Sequence, residues 1–286
     1  MWNEFPEQID IPLANWVNRL VSWLLVTFGD VFDAISTATL WILLRVESAF
    51  TAIPWPVMLV LVAVAGALST RSKLTTVMLV ALMVMVGAFG YWHLAMLTLS
   101  IIVTSVVISV AIGLPLGILA ARSDRAETIM RPLLDGAQTM PSFVYLVPAL
   151  MFFGLGKVPA VMATVIYAMP PMIRLTSLGI RTVTEAAIEA AEAYGATPRQ
   201  ILFDVQLPLA LPTIMAGVNQ TTMMALAMVV IASMIGTTTV GSEVLMAIQR
   251  IDPGRGAEAG LTIVALAIVI DRITQGFAKR YERSIS

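Results

Sequence analysis

From residue 54 to residue 277 the chain passes through seven apolar stretches, and these constrain its fold more than any single motif. They cover residues 54–68, 74–89, 95–121, 139–155, 158–180, 212–235 and 257–277. Each approaches, or falls slightly short of, the roughly 20 residues that carry a helix across a bilayer. Composition agrees with that count. Hydrophobic residues make up 58% of the 286 residues and charged residues 12%, too few to coat a soluble protein of this length. Lipid is therefore the solvent for most of the chain, and the expected fold is an all-α polytopic membrane protein with about seven spanning helices.

Several chemistries are excluded at once. The chain has no cysteine, which removes disulfides, thiolate catalysis and cysteine metal sites. Its one histidine, His93, cannot build a multi-histidine metal centre, and beside Tyr91 and Trp92 it reads as a membrane-interface residue. A net charge of −1 offers no field for nucleic acid. Gly154-Leu155-Gly156-Lys157-Val158 looks superficially like a phosphate loop, but Lys157 precedes Val158 rather than Ser or Thr and the upstream glycine spacing is missing. No cofactor is expected on this chain. Met1–Asp10 carries Glu4, Glu7 and Asp10 and lacks a basic n-region, so insertion is expected to use the internal segments.

Ahead of the seven stretches, Asn15, Asn18, Arg19, Ser22, Gly29, Asp30, Asp33 and Ser36 form a polar stripe at helical spacing. An aspartate at mid-membrane costs about 2.5–3.5 kcal/mol on insertion scales, so residues 14–45 are expected to form interfacial helices, the alternative being a spanning helix with a buried polar seam, within an external extension covering residues 1–53. Lysines and arginines in the connections then set the orientation. Alternation of seven spans puts Arg71, Lys73, Arg122, Arg125, Arg131, Arg174, Arg181, Arg199, Lys279, Arg280 and Arg283 on one side, eleven against five on the other. That side is expected to be cytoplasmic, with the N-terminus outside and the C-terminal tail, residues 281–286, inside. Pro115, Pro148 and Pro170-Pro171 fall within spans, where a bundle tolerates them. The external connection 236–256 is expected to carry a short helix at Ser242–Arg250.

One connection is unlike the others. Thr184–Ala193 is rich in helix formers, with Ala186, Ala187, Ala190 and Ala191 giving a thin face that a partner can approach closely. Gly195 suits the helix C-cap. Thr197-Pro198-Arg199-Gln200 then restarts a helix with an N-cap, a proline at the first position and a capping box. Leu207-Pro208 is expected to end it, and Pro212 to open the next span. The product is a polar helix–turn–helix clamped between two membrane helices. Short tethers to the bilayer and scarce basic residues argue against DNA reading.

The order Glu189-Ala190-Ala191, Gly195, Leu207-Pro208 resembles the EAA loop of ABC importer permeases, with Val205 where that family usually has isoleucine. Further stretches are similar to the glycine betaine/proline-betaine and choline branch of these permeases. They are Pro141–Pro148, Ala168–Thr176, Pro212–Thr221 and Ile270–Gln275. Gly236–Glu243 departs from that branch's glycine-rich external loop. The resemblance implies a type I ABC importer transmembrane domain: two peripheral helices in residues 54–94, a core in 95–280, and a cytoplasmic EAA loop at 184–208. It further implies that Glu189, Ala190, Ala191, Gly195, Leu207 and Pro208 couple the bundle to two separate ATPase subunits, which hold ATP and Mg. A second copy of this chain and an extracytoplasmic solute-binding protein complete the implied bacterial inner-membrane assembly.

The translocation path is marked more weakly. Asn219, Gln220, Thr221 and Thr222 form a polar island in an apolar span, followed by Met223, Met224 and Met228. Tyr145 can offer a cation–π face to a quaternary ammonium, and Met224 a polarisable one. Packing roles for both remain open, as does a structural bond for Asn219. Asp271 is expected to pair with a neighbour and Arg272 to snorkel. Two alternatives stand beside the quaternary-amine importer: an ABC permease for another small solute such as an amino acid or taurine, and a self-sufficient secondary transporter. The second class places coupling carboxylates at mid-membrane, and after Pro54 the interiors of the spans hold only Asp271, toward one end of the last.

Overall fold

The computed structural model describes residues 12–70 and 72–285, and of 277–285 the helical backbone alone. Residues 1–11, Arg71 and Ser286 lie outside the described residues, as do the side chains of Lys279, Arg280 and Arg283, so those parts of the charge count and of the two terminal segments are not located. The chain forms α1 (Leu13–Ala52), α2 (Trp55–Thr70), α3 (Lys73–Ala88), α4 (Trp92–Arg122), α5 (Asp124–Thr139), α6 (Leu146–Phe153), α7 (Lys157–Arg181) and α8 (Glu185–Ala193). The three-residue α9 (Pro198–Gln200) leads through a π-helical segment, Ile201–Gln206, into α10 (Leu207–Ala232), followed by α11 (Val240–Arg250) and α12 (Pro253–Ile285). No strand occurs among the described residues. α1, α4, α7 and the run Pro198–Ile235 are each long and apolar enough to cross a membrane. α5 with the 142–153 segment makes a bent candidate, α2 and α3 are shorter apolar helices, and α12 contains the last expected stretch.

α7 is the centre of the bundle, packed along α4 on one side and α10 on the other; α12 backs α10, and α2 and α3 pack on α12. Lipid removes the hydrophobic drive for helices to associate, so close approach and dispersion must supply it. Glycines mark the crossings accordingly. A Cβ built on Gly117 of α4 would lie 2.5 Å from Thr176 Cβ and 2.8 Å from the Ile173 carbonyl of α7. One turn earlier, the same atom on Gly113 would lie 3.0 Å from Met172 Cβ. Gly179 of α7 meets Thr213 of α10 in the same way, at 3.0 Å. The helices continue through Pro115, Pro170 and Pro171, as expected for a bundle that re-satisfies freed carbonyls.

Two local expectations are corrected. Residues 139–155 are not one helix. α5 ends at Thr139, Met140-Pro141 is extended, and a 3₁₀ turn, Ser142–Tyr145, starts α6 at 111° to α5. The 12 residues of Ser142–Phe153 reach about 18 Å, too little for a ~30 Å hydrocarbon core. Pro141 dictates the break, because it disfavours helical geometry at Met140. Tyr145, buried at the bend, donates its hydroxyl to the Ala137 carbonyl and fixes the angle.

Leu207-Pro208 does not end the second helix of the polar module; α9, the π segment and α10 form one continuous run. In an α-helix, Pro208 would collide with the carbonyl of Asp204, four residues back. The wider π turns remove that conflict, and the Leu207 N–H reaches the Leu202 carbonyl, five residues back.

The bundle has two chemically different ends. At the α8 end, Arg181 pairs with Asp124 and Glu127 at 2.9 Å and donates to the Ala120 carbonyl, while Arg174 pairs with Asp135. Gly276 of α12 packs against Ser69 of α2 at this same end. At the far end, the Gly156 N–H reaches the Ile235 carbonyl at 3.2 Å, and the buried Glu243 of α11 accepts from Arg255 Nε at 2.7 Å. The predicted short helix is α11. Its first backbone N–H, at Val240, would be an orphan in a buried place, and Thr98 Oγ1 of α4 accepts it at 3.0 Å. Thr98→Val is expected to lower stability by about 1–3 kcal/mol by leaving that donor unmet. The midpoint of thermal unfolding in detergent checks this.

α1 is kinked at Phe28, where the backbone leaves helical geometry. Its contacts run Phe32 on Phe152 and Phe153, Thr39 on Met162 at 3.7 Å, and Glu47 on Lys157 at 2.7 Å. Phe32 and Glu47 are 15 residues apart, about 22 Å along a helix, yet their partners lie on either side of the same Gly154–Gly156 turn. Asp30 and Asp33 are exposed.

Candidate functional site

The polar module is capped at both joints. Gly195 adopts φ +80° and donates to the Glu192 carbonyl at 2.8 Å, and Ala196 donates to the Ala191 carbonyl at 3.0 Å, the two bonds of a Schellman motif. Thr197 and Gln200 close the predicted capping box: the Thr197 N–H reaches Gln200 Oε1 at 2.9 Å, and the Gln200 N–H reaches Thr197 Oγ1 at 3.4 Å. α8 rests on the π segment, whose Ile201 and Leu202 are buried. Its inner face is Ala187, Ile188 and Ala191, half-buried, and its outer face presents Glu185, Glu189, Ala190 and Glu192 to solvent. Leu207 is half-buried against the cluster around Met172 and Ile214, and Pro208 is exposed.

The module also displays aromatic groups that the motif did not single out. Tyr194 is 94% exposed and Phe203 52% exposed, with the Arg199 guanidinium 6.0 Å from the Phe203 ring centre. Apolar rings left bare on a polar surface are the available signal for them.

Higher in the bundle, α7, α10 and α12 frame an open cleft of about 590 Å³. Tyr167, Asn219, Gln220, Met223, Met224 and Gln275 line it. Three of the four residues proposed for the path, Asn219, Gln220 and Met224, thus converge on one space. Tyr145 does not line it; its ring sits edge-to-face behind Tyr167 at 5.6 Å, with its hydroxyl committed to Ala137. Asn219 does make structural bonds. Its Nδ2 donates to Asp271 at 3.5 Å and its Oδ1 accepts from Thr274 at 2.6 Å, while Gln275 Nε2 donates to Asp271 at 2.6 Å. Tyr167 and Gln275 escaped the sequence reading because each sits on a different helix, far along the chain from the island at 219–222.

Helices of spanning length, glycine crossings and a capped polar module at one end define a polytopic α-helical membrane protein. Residues 113–285 match the family of binding-protein-dependent transport system inner membrane components. The chain is 48% identical over 269 residues to the glycine betaine/proline betaine transport system permease protein ProW of Escherichia coli (strain K12), covering 94% of this chain and 76% of that one. It is 45% identical over 271 residues to the glycine betaine transport system permease protein OpuAB of Bacillus subtilis (strain 168), covering 93% and 94%. Its fold matches a chain of the MetNI methionine ABC transporter in an inward-facing conformation, at a TM-score of 0.58 and 20% identity over 66% of this chain and 93% of that chain. The chain belongs to the family of binding-protein-dependent transport inner membrane components, and is a multi-pass permease subunit.

Proposed function

We propose that this permease moves glycine betaine or a related quaternary amine, such as choline or proline betaine, into the cell, driven by two separate ATPase subunits that dock on α8. The cargo follows from the names of the relatives that align along nearly the whole chain. The coupling rests on one observation: the helical run Pro198–Ile235 carries the base of the polar module at one end and the cleft residues Asn219, Gln220 and Met224 along its middle. From Gln206 to Gln220 is about 21 Å of unbroken helix, so a push on α8 moves the cleft wall as a rigid body. ATP and Mg belong to the partner. Closure of two ATPases pulls two α8 helices together and shifts a pair of bundles between inward- and outward-open states, which requires a second copy of this chain.

The excess of lysine and arginine expected on the α8 side supports a cytoplasmic location for that end, with the C-terminus. The N-terminus, α1, α11 and the site for a solute-binding protein are then external, and α1 lies in the outer interface, packed mainly on α4 and further on α6 and α7. Liposomes containing the permease, its ATPase and its binding protein are expected to accumulate labelled glycine betaine only with internal ATP. Uptake by the permease alone, down an ion gradient, overturns this and favours the secondary-transporter alternative.

A further inference from the structure

A carboxylate stands directly behind the cleft. Asp271 on α12 takes part in no ion pair among the described residues. It is held instead by two neutral amides, Asn219 Nδ2 at 3.5 Å and Gln275 Nε2 at 2.6 Å. Both amides line the cleft and both turn their N–H groups toward the carboxylate. Among the described residues nothing donates to the Gln275 carbonyl oxygen, which leaves it for whatever occupies the cleft. Asn219 has its own oxygen taken by Thr274, which locks its orientation.

An ionised group inside a helix bundle is costly, and it persists where it is paired, hydrated or used. Two neutral donors soften the field of Asp271 without cancelling its charge. The rest of the lining suits a soft, poorly hydrated cation: the Tyr167 ring gives a quadrupole face and Met223 and Met224 give polarisable sulfur. Among the described residues, no lysine or arginine lines the cleft to compete.

We infer that Asp271, acting through the Asn219 and Gln275 amides, makes this cleft a transient binding site for the trimethylammonium end of the cargo. This rests on the transport reading above for the identity of the cargo, but not for the sign of the potential. Asp271 touches the amides rather than the cargo and is a positioning and field-setting residue. The same charge turns the carboxylate end of a betaine away from α12, so the site imposes an orientation as well as an affinity.

The chain has no cysteine, so a single introduced thiol reports on one place. Ala216→Cys lies in the cleft lining and Leu155→Cys, 82% exposed, lies at the far end of the bundle. In the detergent-purified permease–ATPase complex, each is reacted with a methanethiosulfonate bearing trimethylammonium and with one bearing sulfonate. Modification is read on this subunit by mass spectrometry. The cation-to-anion rate ratio at Ala216→Cys is expected to exceed that at Leu155→Cys on the order of tenfold, and to fall as salt is raised. Adding Asp271→Asn, which keeps an acceptor for both amides, is expected to bring the ratio to within about twofold of the reference. Asp271→Glu is expected to keep it high, and so is Thr274→Val, which breaks the network without touching the charge.

Equal ratios at the two thiols overturn the inference, as does a ratio that survives Asp271→Asn. If Asp271→Asn fails to assemble, the comparison of the two thiols in the Asp271 background still decides. A cation-selective cleft in a transporter that accumulates no quaternary amine keeps the site and rejects the cargo reading. Glycine betaine uptake with no cation preference at Ala216→Cys does the reverse.

Discussion

Gly117→Val is expected to prevent α4 and α7 from packing and to remove most folded protein from the membrane. The Cβ alone would sit 2.5 Å from Thr176 Cβ and 2.8 Å from the Ile173 carbonyl, both on the helix at the centre of the bundle. The nearest atoms are backbone and a β-branched carbon, neither of which can swing aside. α4 must back away, and Gly113, one turn earlier on the same seam, loses its contact with Met172 as it does so. Because lipid matches the apolar surface that is exposed, the lost dispersion is not offset by any other burial. Overpacking in a well-packed core costs about 1–3 kcal/mol and sometimes more, and the seam adds a second lost contact. The yield of monodisperse protein in detergent and the midpoint of its thermal unfolding check this. Gly136→Ala is the control: Gly136 lies in α5 with nothing within 4 Å of its built Cβ, so that change is expected to be neutral or to stabilise by about 0.5–1 kcal/mol. A Gly117→Val protein as stable as the parent would mean that the seam can open without cost.

Those glycines show where sequence stops being informative. Apolar stretches announced the helices, because hydropathy over 15–25 residues is a property of one segment. Caps were legible for the same reason: Gly195 and the Thr197–Gln200 pair act over three to five residues, and both formed as the spacing predicts. The 139–155 stretch failed because hydropathy has no direction; the apolar run is continuous, but Pro141 and the Tyr145–Ala137 bond turn it through a sharp angle. Leu207-Pro208 failed because a proline signals a conflict and not its resolution, which here is a π turn that keeps the helix intact. The cleft was half legible. Its island on α10 stood out as polar residues in an apolar span, while Tyr167 belongs to α7, whose rotation about α10 is set by packing at Gly179 and Gly217, and Gln275 belongs to α12, tied to α10 by the Asn219–Asp271 and Thr274–Asn219 bonds.

Two changes in the polar module, Glu189→Lys and Gly195→Val, are expected to abolish coupled uptake while leaving the bundle folded, for different reasons. Glu189 is exposed on α8, a helix that carries Glu185, Glu189 and Glu192 and no basic residue. Reversing one of three like charges alters what the outer face can dock with and touches nothing in the bundle. Gly195 acts through the backbone. Its φ of +80° is open to glycine and strained for a β-branched residue, by about 1–3 kcal/mol. Space is not the obstacle, since nothing lies within 4 Å of a Cβ there. Valine is therefore expected to break both bonds of the Schellman motif and let α8 swing relative to the π segment, while α10, anchored by Ala210 and Ile214 in the core, stays in place. In liposomes holding the whole transporter, both variants are expected to lose glycine betaine uptake on the order of tenfold or more, equivalent to about 1.4 kcal/mol or above of coupling energy. The thermal midpoint of the permease should move little. Gly195→Asn separates strain from contact, because asparagine tolerates this φ: it is expected to retain much of the uptake that valine loses. Normal ATP-driven uptake by both Glu189→Lys and Gly195→Val would remove α8 from the coupling path and leave the helical run from Pro198 to Ile235 without a motor at its end.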